Sequence, residues 1–350
     1  MTEAVIIKKQ QELNNCTFVK TILMLTVILG HSVIFWSGNW LSTIKPAEVV
    51  PSLTYLSKYC GNFHTYGFAL VSGYLYYYGR YESKKYTEFG KFVIGKIKRL
   101  IVPFFGVLLL TVIPFDYFLF HNTTKEILFN NILACAPSHL WFLWMLFDVF
   151  VVFYFISNFI NNNRVIVGLL TAAGFYCLGI IGGKIMPNIF QVWTACRYII
   201  FFELGFYYRK YEGVKLSKVH PVSWIALYTA IFITFSAISA ENLITTILRN
   251  LLQLLLNLVG AAMSFCVLQK LSEKISWQSN ELFLSLSEKT MVIYLLHQQV
   301  IYISIVLLNG HINPYFHAMI NFVSALLIST AICALLTRYK AARLLFGLSK

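Results

Sequence analysis

The sequence predicts an all-α fold: a polytopic membrane helix bundle of about ten transmembrane helices, with both termini cytoplasmic. Three observations lead there. Hydrophobic residues make up 58% of the 350-residue chain and charged residues only 12%, with a mean hydropathy of +0.68, whereas soluble domains carry about a quarter charged residues. Apolar runs of about twenty residues, enough to cross the hydrocarbon core as a helix, recur along the whole chain. Basic residues gather in alternate connections between those runs, the asymmetry that orients membrane proteins.

The expected spans lie near 17–37, 61–79, 100–120, 139–159, 165–183, 190–208, 221–239, 247–269, 289–308 and 315–337. The fifth and sixth are divided only by the turn GGKIMPN. No fixed-period repeat or soluble module interrupts the series, so residues 1–350 read as one membrane-embedded domain with no appended soluble domain. Segment 80–99, RYESKKYTEFGKFVIGKIKR, holds seven Lys and Arg residues. Segment 209–218 holds Arg209, Lys210, Lys215 and Lys218, and the tail holds Arg338, Lys340, Arg343 and Lys350. Ten spans place all of these on one side with Lys8, Lys9 and Lys20, which makes that side cytoplasmic. The net charge of +14 is thereby assigned to membrane lipids with anionic headgroups and not to nucleic acid. The first span is expected to serve as an uncleaved anchor. Seven scattered cysteines show no metal-ligand spacing and read as small core residues; no metal site is expected.

Ionisable residues inside such spans are costly and mark functional positions. Lys20 and His31 stand out. Eleven residues make about three helical turns, so both side chains fall on nearly one face, roughly 16 Å apart along the axis. Lys20 then lies at one membrane face and His31 near mid-depth. Ser72, Asp148, Arg197 and His297 fall at similar depth in other spans, with Glu203 nearer the cytoplasm and His64 and His139 near the outer boundary. Structural roles compete for each of these. His297 bonding a helix carbonyl, Asp148 pairing with Arg197, and Glu203 neutralising a neighbouring Lys or Arg would all be stabilising only. HLWFLW (139–144) has the composition of an interfacial aromatic belt, and segment 80–99 that of a lipid-binding helix or of an anion site. For His31, with Lys20 in register beneath it, catalysis is the stronger reading: a neutral imidazole can take a proton from a hydroxyl while basic residues hold a phosphate-rich donor. Group transfer across the membrane fits that pair. A proton-coupled secondary transporter using Asp148, Glu203 and the histidines is the alternative, against which stands the absence of a two-half repeat. A non-catalytic binding scaffold is the third.

The chain also resembles the acyltransferase 3 family of integral membrane acyltransferases. The resemblance rests on KTILMLTVILGHS (Lys20 to Ser32), with Lys20 where the family usually has Arg, and on FHTYGFALVSGYLYYYGRY in the next span. KIKRLIVPFF follows, with Arg99 and Pro103, then HLWFLW and finally IYLLHQQVI at 293–301. Together these cover nearly the whole chain in the family's order. The resemblance implies an O-acetyltransferase that uses acetyl-CoA as acyl donor, with no tightly bound cofactor. The acceptor would be a hydroxyl of a surface glycan, such as capsule, lipopolysaccharide O-antigen or exopolysaccharide, or of a lipid-linked saccharide, at the bacterial cytoplasmic membrane. His31 would be the catalytic base or a transient acyl carrier. Lys20, Lys98 and Arg99 would contact the coenzyme. His64, Ser72, Asp148, Arg197 and His297 are the candidates on the substrate side.

Overall fold

A computed structural model describes residues 3–211 and 219–348. Among them there is no strand, and eight helices are long and apolar enough to cross a membrane: Gln11–Ser37, Phe89–Phe118, Ser138–Asn162, Val165–Ile185, Ile189–Lys210, Leu243–Lys274, Glu281–Leu308 and Pro314–Leu336. The other two expected spans also form helices, but shorter ones. His64–Tyr77 has 14 residues and is prolonged by a π-helical turn, Tyr78–Glu82. Pro221–Ala237 has 17. The helix expected at 100–120 begins at Phe89, so Lys91, Lys96, Lys98 and Arg99 fall within it and not in a connection. Phe92 is buried there and Val93 packs against the core, while Phe89, Ile94 and Ile97 stay exposed. Of the expected basic positions, Lys215, Lys218 and Lys350 lie outside the described residues.

The first helix, Glu3–Ile34, is the axis of the bundle. It packs against Pro51–Gly61, His64–Tyr77, Leu243–Lys274, Glu281–Leu308 and Pro314–Leu336, and its Cys16, Val19, Leu23, Met24, Val27 and Ile28 are buried. Apolar side chains all round a helix are the mark of a fully enclosed position. Val165–Ile185 and Pro314–Leu336, in contrast, leave most of their surface uncovered, and exposed Leu169, Leu170, Ile181, Val323, Leu327 and Ile328 suit a lipid-facing rim.

The closest helix pair is His64–Tyr77 against Val192–Lys210. A Cβ on Gly73 would stand 1.8 Å from the Phe202 carbonyl oxygen, and one on Gly205 would stand 1.8 Å from that of Leu70. Small residues at facing positions let two backbones touch, as membrane helices require when no hydrophobic effect drives them together. Beside this seam Tyr76, Phe150, Phe153, Phe202 and Phe206 interlock, three of their contacts edge to face and Phe153–Phe202 tilted at 56°.

Arg209 ties one end of the bundle together. It bonds Glu12 of the first helix, Tyr74 Oη at 2.7 Å, and Glu82 through two nitrogens at 2.6 and 2.9 Å. The C-terminal helix Lys340–Leu345 packs on Val102–Val107. The opposite end is closed by loops: Asn309 bonds the backbone at Lys45 and Ala47, Ser52 meets Tyr315, and the Phe190 amide donates to the Leu133 carbonyl. No disulfide forms among the described residues.

Candidate active site

His31 lies three residues from the end of its helix, at the loop-closed end of the bundle. The span begins at Gln11, six residues before the expected start. Lys20 is therefore nine residues into the span, where a start at 17 puts it only three residues in, while His31 keeps its distance from Ser37. His31 and His297, from the Glu281–Leu308 helix, meet with Nδ1 and Nε2 2.7 Å apart. Their rings are only 8° from parallel with centroids 5.0 Å apart, a separation that leaves the two nitrogens lined up between the centroids. The bond is thus nearly linear and in plane, the strongest geometry available.

The next link fixes the protons. His297 Nδ1 lies 2.7 Å from the Tyr294 carbonyl oxygen. A carbonyl can only accept, so Nδ1 of His297 carries the hydrogen, and in the neutral ring Nε2 is an acceptor. His31 Nδ1–H therefore donates to it. Neutral His31 is left with its lone pair on Nε2, and among the described residues nothing bonds that atom. This is the orienting logic of a base held by a second group, built from two imidazoles and one turn of helix. His139 completes the cluster. Its Nε2–H donates to the Leu295 carbonyl at 2.9 Å, its ring stands edge-on to His297 at 5.2 Å, and its Nδ1 has no partner. Tyr294 Oη donates to the His139 carbonyl.

His31 and His139 line a cavity of about 430 Å³ together with Trp40, Ser138, Gln191 and Tyr302. Trp40 lies 6.0 Å from His31, its ring plane inclined by 12°. The loop backbone around this cavity is strained. Ala134, Ser138, Phe190 and Gln191 all adopt φ between 50° and 61°, a region that residues with a Cβ rarely enter. Gln191 holds the strained turn by donating from Nε2 to the Ala134 and Cys135 carbonyls at 2.7 and 2.9 Å. Such conformations cost about 1–3 kcal/mol each and collect at functional sites.

A second cavity, of about 210 Å³, opens beside the other end of the bundle. Lys20, Lys96 and Arg99 line it and no carboxylate does. The Lys96 ammonium sits 3.3 Å over the Phe150 ring, with Tyr86 and Phe92 at 5.1 and 5.3 Å, an aromatic enclosure that suits a cation. The wall passes Ser72, Met24 and Val27 and ends at Tyr294. Val27 is one helical turn before His31, and Tyr294 donates to the carbonyl of His139, so wall residues of the two cavities are in direct contact.

The sequence-predicted residues divide accordingly. Lys20, Arg99 and Ser72 share the basic cavity, and His31 and His297 share a hydrogen bond. Lys98 lines none of the cavities described here and is exposed; Lys96 takes the place expected of it. A π-helical turn at Ile97–Ile101 widens the helix there, and position 96 shares a face with 99 and 100 while 98 points away. His64 is buried, with Nδ1 unpartnered, and lines a third cavity with Arg197. The expected Asp148–Arg197 pair does not form: Arg197 is exposed and donates to Thr194 Oγ1 at 3.4 Å, and Asp148 Oδ2 has no partner. Glu203 pairs with no Lys or Arg among the described residues; it is buried beside Tyr207, where both reach the space above Gly168. Asp148 and Glu203 line none of the cavities described here. Sequence reasoning missed Lys96 and Tyr294, and placed His139 only as a boundary residue. All three lie inside motifs that carry the family resemblance, KIKRLIVPFF, HLWFLW and IYLLHQQVI, and Lys96 also stands at i, i+3 spacing to Arg99. No group of His, Cys, Asp and Glu side chains is placed to hold a metal among the described residues.

Residues 14–338 match the acyltransferase 3 family model, whose description is an acyltransferase domain. No curated protein and no solved structure matches the chain significantly. Since the match takes in nearly the whole sequence, the chain belongs to the acyltransferase 3 family and is a membrane acyltransferase.

Proposed function

We propose that this acyltransferase carries an acetyl group from cytosolic acetyl-CoA to a hydroxyl of a cell-surface glycan or its lipid-linked precursor, in the bacterial cytoplasmic membrane, with His31 as general base. One observation carries the reading: the Tyr294 carbonyl–His297–His31 chain leaves the lone pair of neutral His31 on Nε2, at the wall of an open, loop-lined cavity.

In the proposed step an acceptor hydroxyl gives its proton to His31 Nε2 as its oxygen attacks the thioester carbonyl. The tetrahedral intermediate then collapses, the carbon–sulfur bond breaks, and the coenzyme leaves as a thiolate that recovers the proton from the imidazolium. His297 steadies that imidazolium by accepting from Nδ1–H, a hydrogen bond that strengthens as charge develops. Lys20, Lys96 and Arg99 suit the phosphates of the donor, and the apolar wall beyond them suits its long uncharged arm. Lysine at position 20 offers a point charge where arginine offers a planar fork, so its grip comes from charge more than from geometry. Tyr294 stands where the thioester must pass.

The test replaces His31 with Ala or Gln and follows O-acetyl signals of surface glycans by NMR, with membrane insertion and abundance matched. Loss of the signals is expected. Retained acetylation by an inserted His31→Ala protein would overturn the assignment.

A further inference from the structure

The loop-closed end of the bundle holds two cavities besides that of His31, of about 420 and 270 Å³. The three adjoin. Trp141 lines both the His31 cavity and the larger of the two, and Gln253 lines both the larger and the smaller. The larger presents Arg197 beside Gln253 and Asn257, with Tyr66 and Tyr198 on its wall. The smaller adds Lys58 and Arg249. No Asp or Glu lines any of the three, so the cleft is positive in the half of the molecule whose connections carry few basic residues.

The groups in this cleft leave their bonding capacity open. Arg197 has one long bond, to Thr194, and no carboxylate partner among the described residues. A guanidinium on a membrane helix without a counter-ion is costly unless it faces water or an anionic ligand. Gln253 donates to Asn62 Oδ1 at 2.5 Å and to Asn257 Oδ1 at 2.8 Å. That leaves the Gln253 oxygen free to accept and the Asn257 nitrogen free to donate, a mixed set that matches sugar hydroxyls. Tyr66 and Tyr198 stack at 5.0 Å and 13°, with Trp141 edge-on to Tyr198 at 5.7 Å. Tyr198 is buried, so the half-buried Tyr66 and Trp141, each apolar on the face and polar at the tip, are the aromatic surfaces left to meet the C–H face of a pyranose.

We infer that these adjoining cavities form the acceptor cleft for an anionic oligosaccharide, with Arg197 pairing with a carboxylate or phosphate next to the unit presented to His31. The inference rests on the glycan-acceptor reading and adds to it that the acceptor carries negative charge. That charge has two sources, an acidic sugar within the polymer or the diphosphate of a lipid carrier.

Binding to the full-length protein in nanodiscs, read by tryptophan fluorescence without donor, separates them. The probe pairs are tetragalacturonic acid against maltotetraose, and farnesyl diphosphate against farnesol. One anionic probe should bind at least about tenfold more tightly than its uncharged counterpart, the size of effect that one charge-assisted pair supports. The preferred pair identifies the source. Arg197→Gln should abolish the preference and Arg197→Lys should keep part of it, both with wild-type elution and melting behaviour. Should Arg197→Gln misfold, Arg197→Lys with a salt titration decides, the preference falling as salt rises. No charge preference in either pair, or a preference untouched by Arg197→Gln or by salt, overturns the inference. A wild type that binds as expected but transfers no acetyl group overturns the proposed reaction and leaves the cleft; acetylation without charge preference does the reverse.

Discussion

Replacing His297 tests the proton logic of the site most directly. The His31 Nδ1–H to His297 Nε2 bond, at 2.7 Å and in plane, does two things. It selects the tautomer with a free Nε2, and in the proposed reaction it would stabilise the imidazolium formed when His31 takes a proton. A hydrogen bond to a charged group is worth about 1.5–3 kcal/mol, and each 1.36 kcal/mol of barrier is tenfold in rate. His297→Leu should therefore lower kcat by about 10- to 160-fold from this bond alone, with further loss as the other tautomer becomes populated. A triad histidine trapped in the wrong tautomer loses about 10⁴, which sets the upper end. His297→Gln keeps an acceptor oxygen at a similar reach and should recover most of the rate. The assay is acetyl-CoA consumption dependent on added acceptor, with donor KM measured separately, because His297 does not line the donor cavity. A His297→Leu enzyme within threefold of wild type, or a Gln variant as damaged as Leu, would refute the reasoning.

The basic cavity predicts an ordering among its cations. Lys96→Ala and Arg99→Ala should each raise the KM for acetyl-CoA about tenfold or more, whereas Lys98→Ala should change it less than twofold; equal effects at 96 and 98 would contradict the cavity wall. Lys20→Arg should retain most activity and Lys20→Ala should lose it, read in the same KM assay, because charge is what position 20 supplies. Gly73→Ala should destabilise the fold by roughly 3 kcal/mol or more, at or above the upper end of ordinary overpacking, since the new methyl would meet the Phe202 carbonyl at 1.8 Å. Thermal unfolding in detergent measures this, and a loss under about 1 kcal/mol would mean that the helix pair can separate cheaply.

Parts of the site were legible in the chain because they lie on one helix. Lys20 and His31 share a face through local periodicity alone, and so do Lys96 and Arg99, although the latter pairing was passed over in favour of neighbouring Lys98. Residues on different helices were not legible. Asp148 and Arg197 were matched by depth and opposite sign, yet helix rotation sends Arg197 into the cleft beside Trp141 and leaves Asp148 out of every cavity described here. Glu203, expected to meet a cation, is instead enclosed beside Tyr207.

Hydropathy and charge, summed over twenty-residue windows, settle the class of this molecule, because a lipid solvent admits almost no backbone other than helix. They leave span boundaries and count less exact: the third helix starts eleven residues before its apolar run, and two spans are short. Only the packed bundle could decide that His31 meets His297, 266 positions away, that a carbonyl one turn before His297 dictates which nitrogen of His31 is basic, and that Tyr294 on the wall of the basic cavity bonds His139 on the wall of the other. Those relations depend on how helices rotate and approach one another, which periodicity within a single helix does not encode.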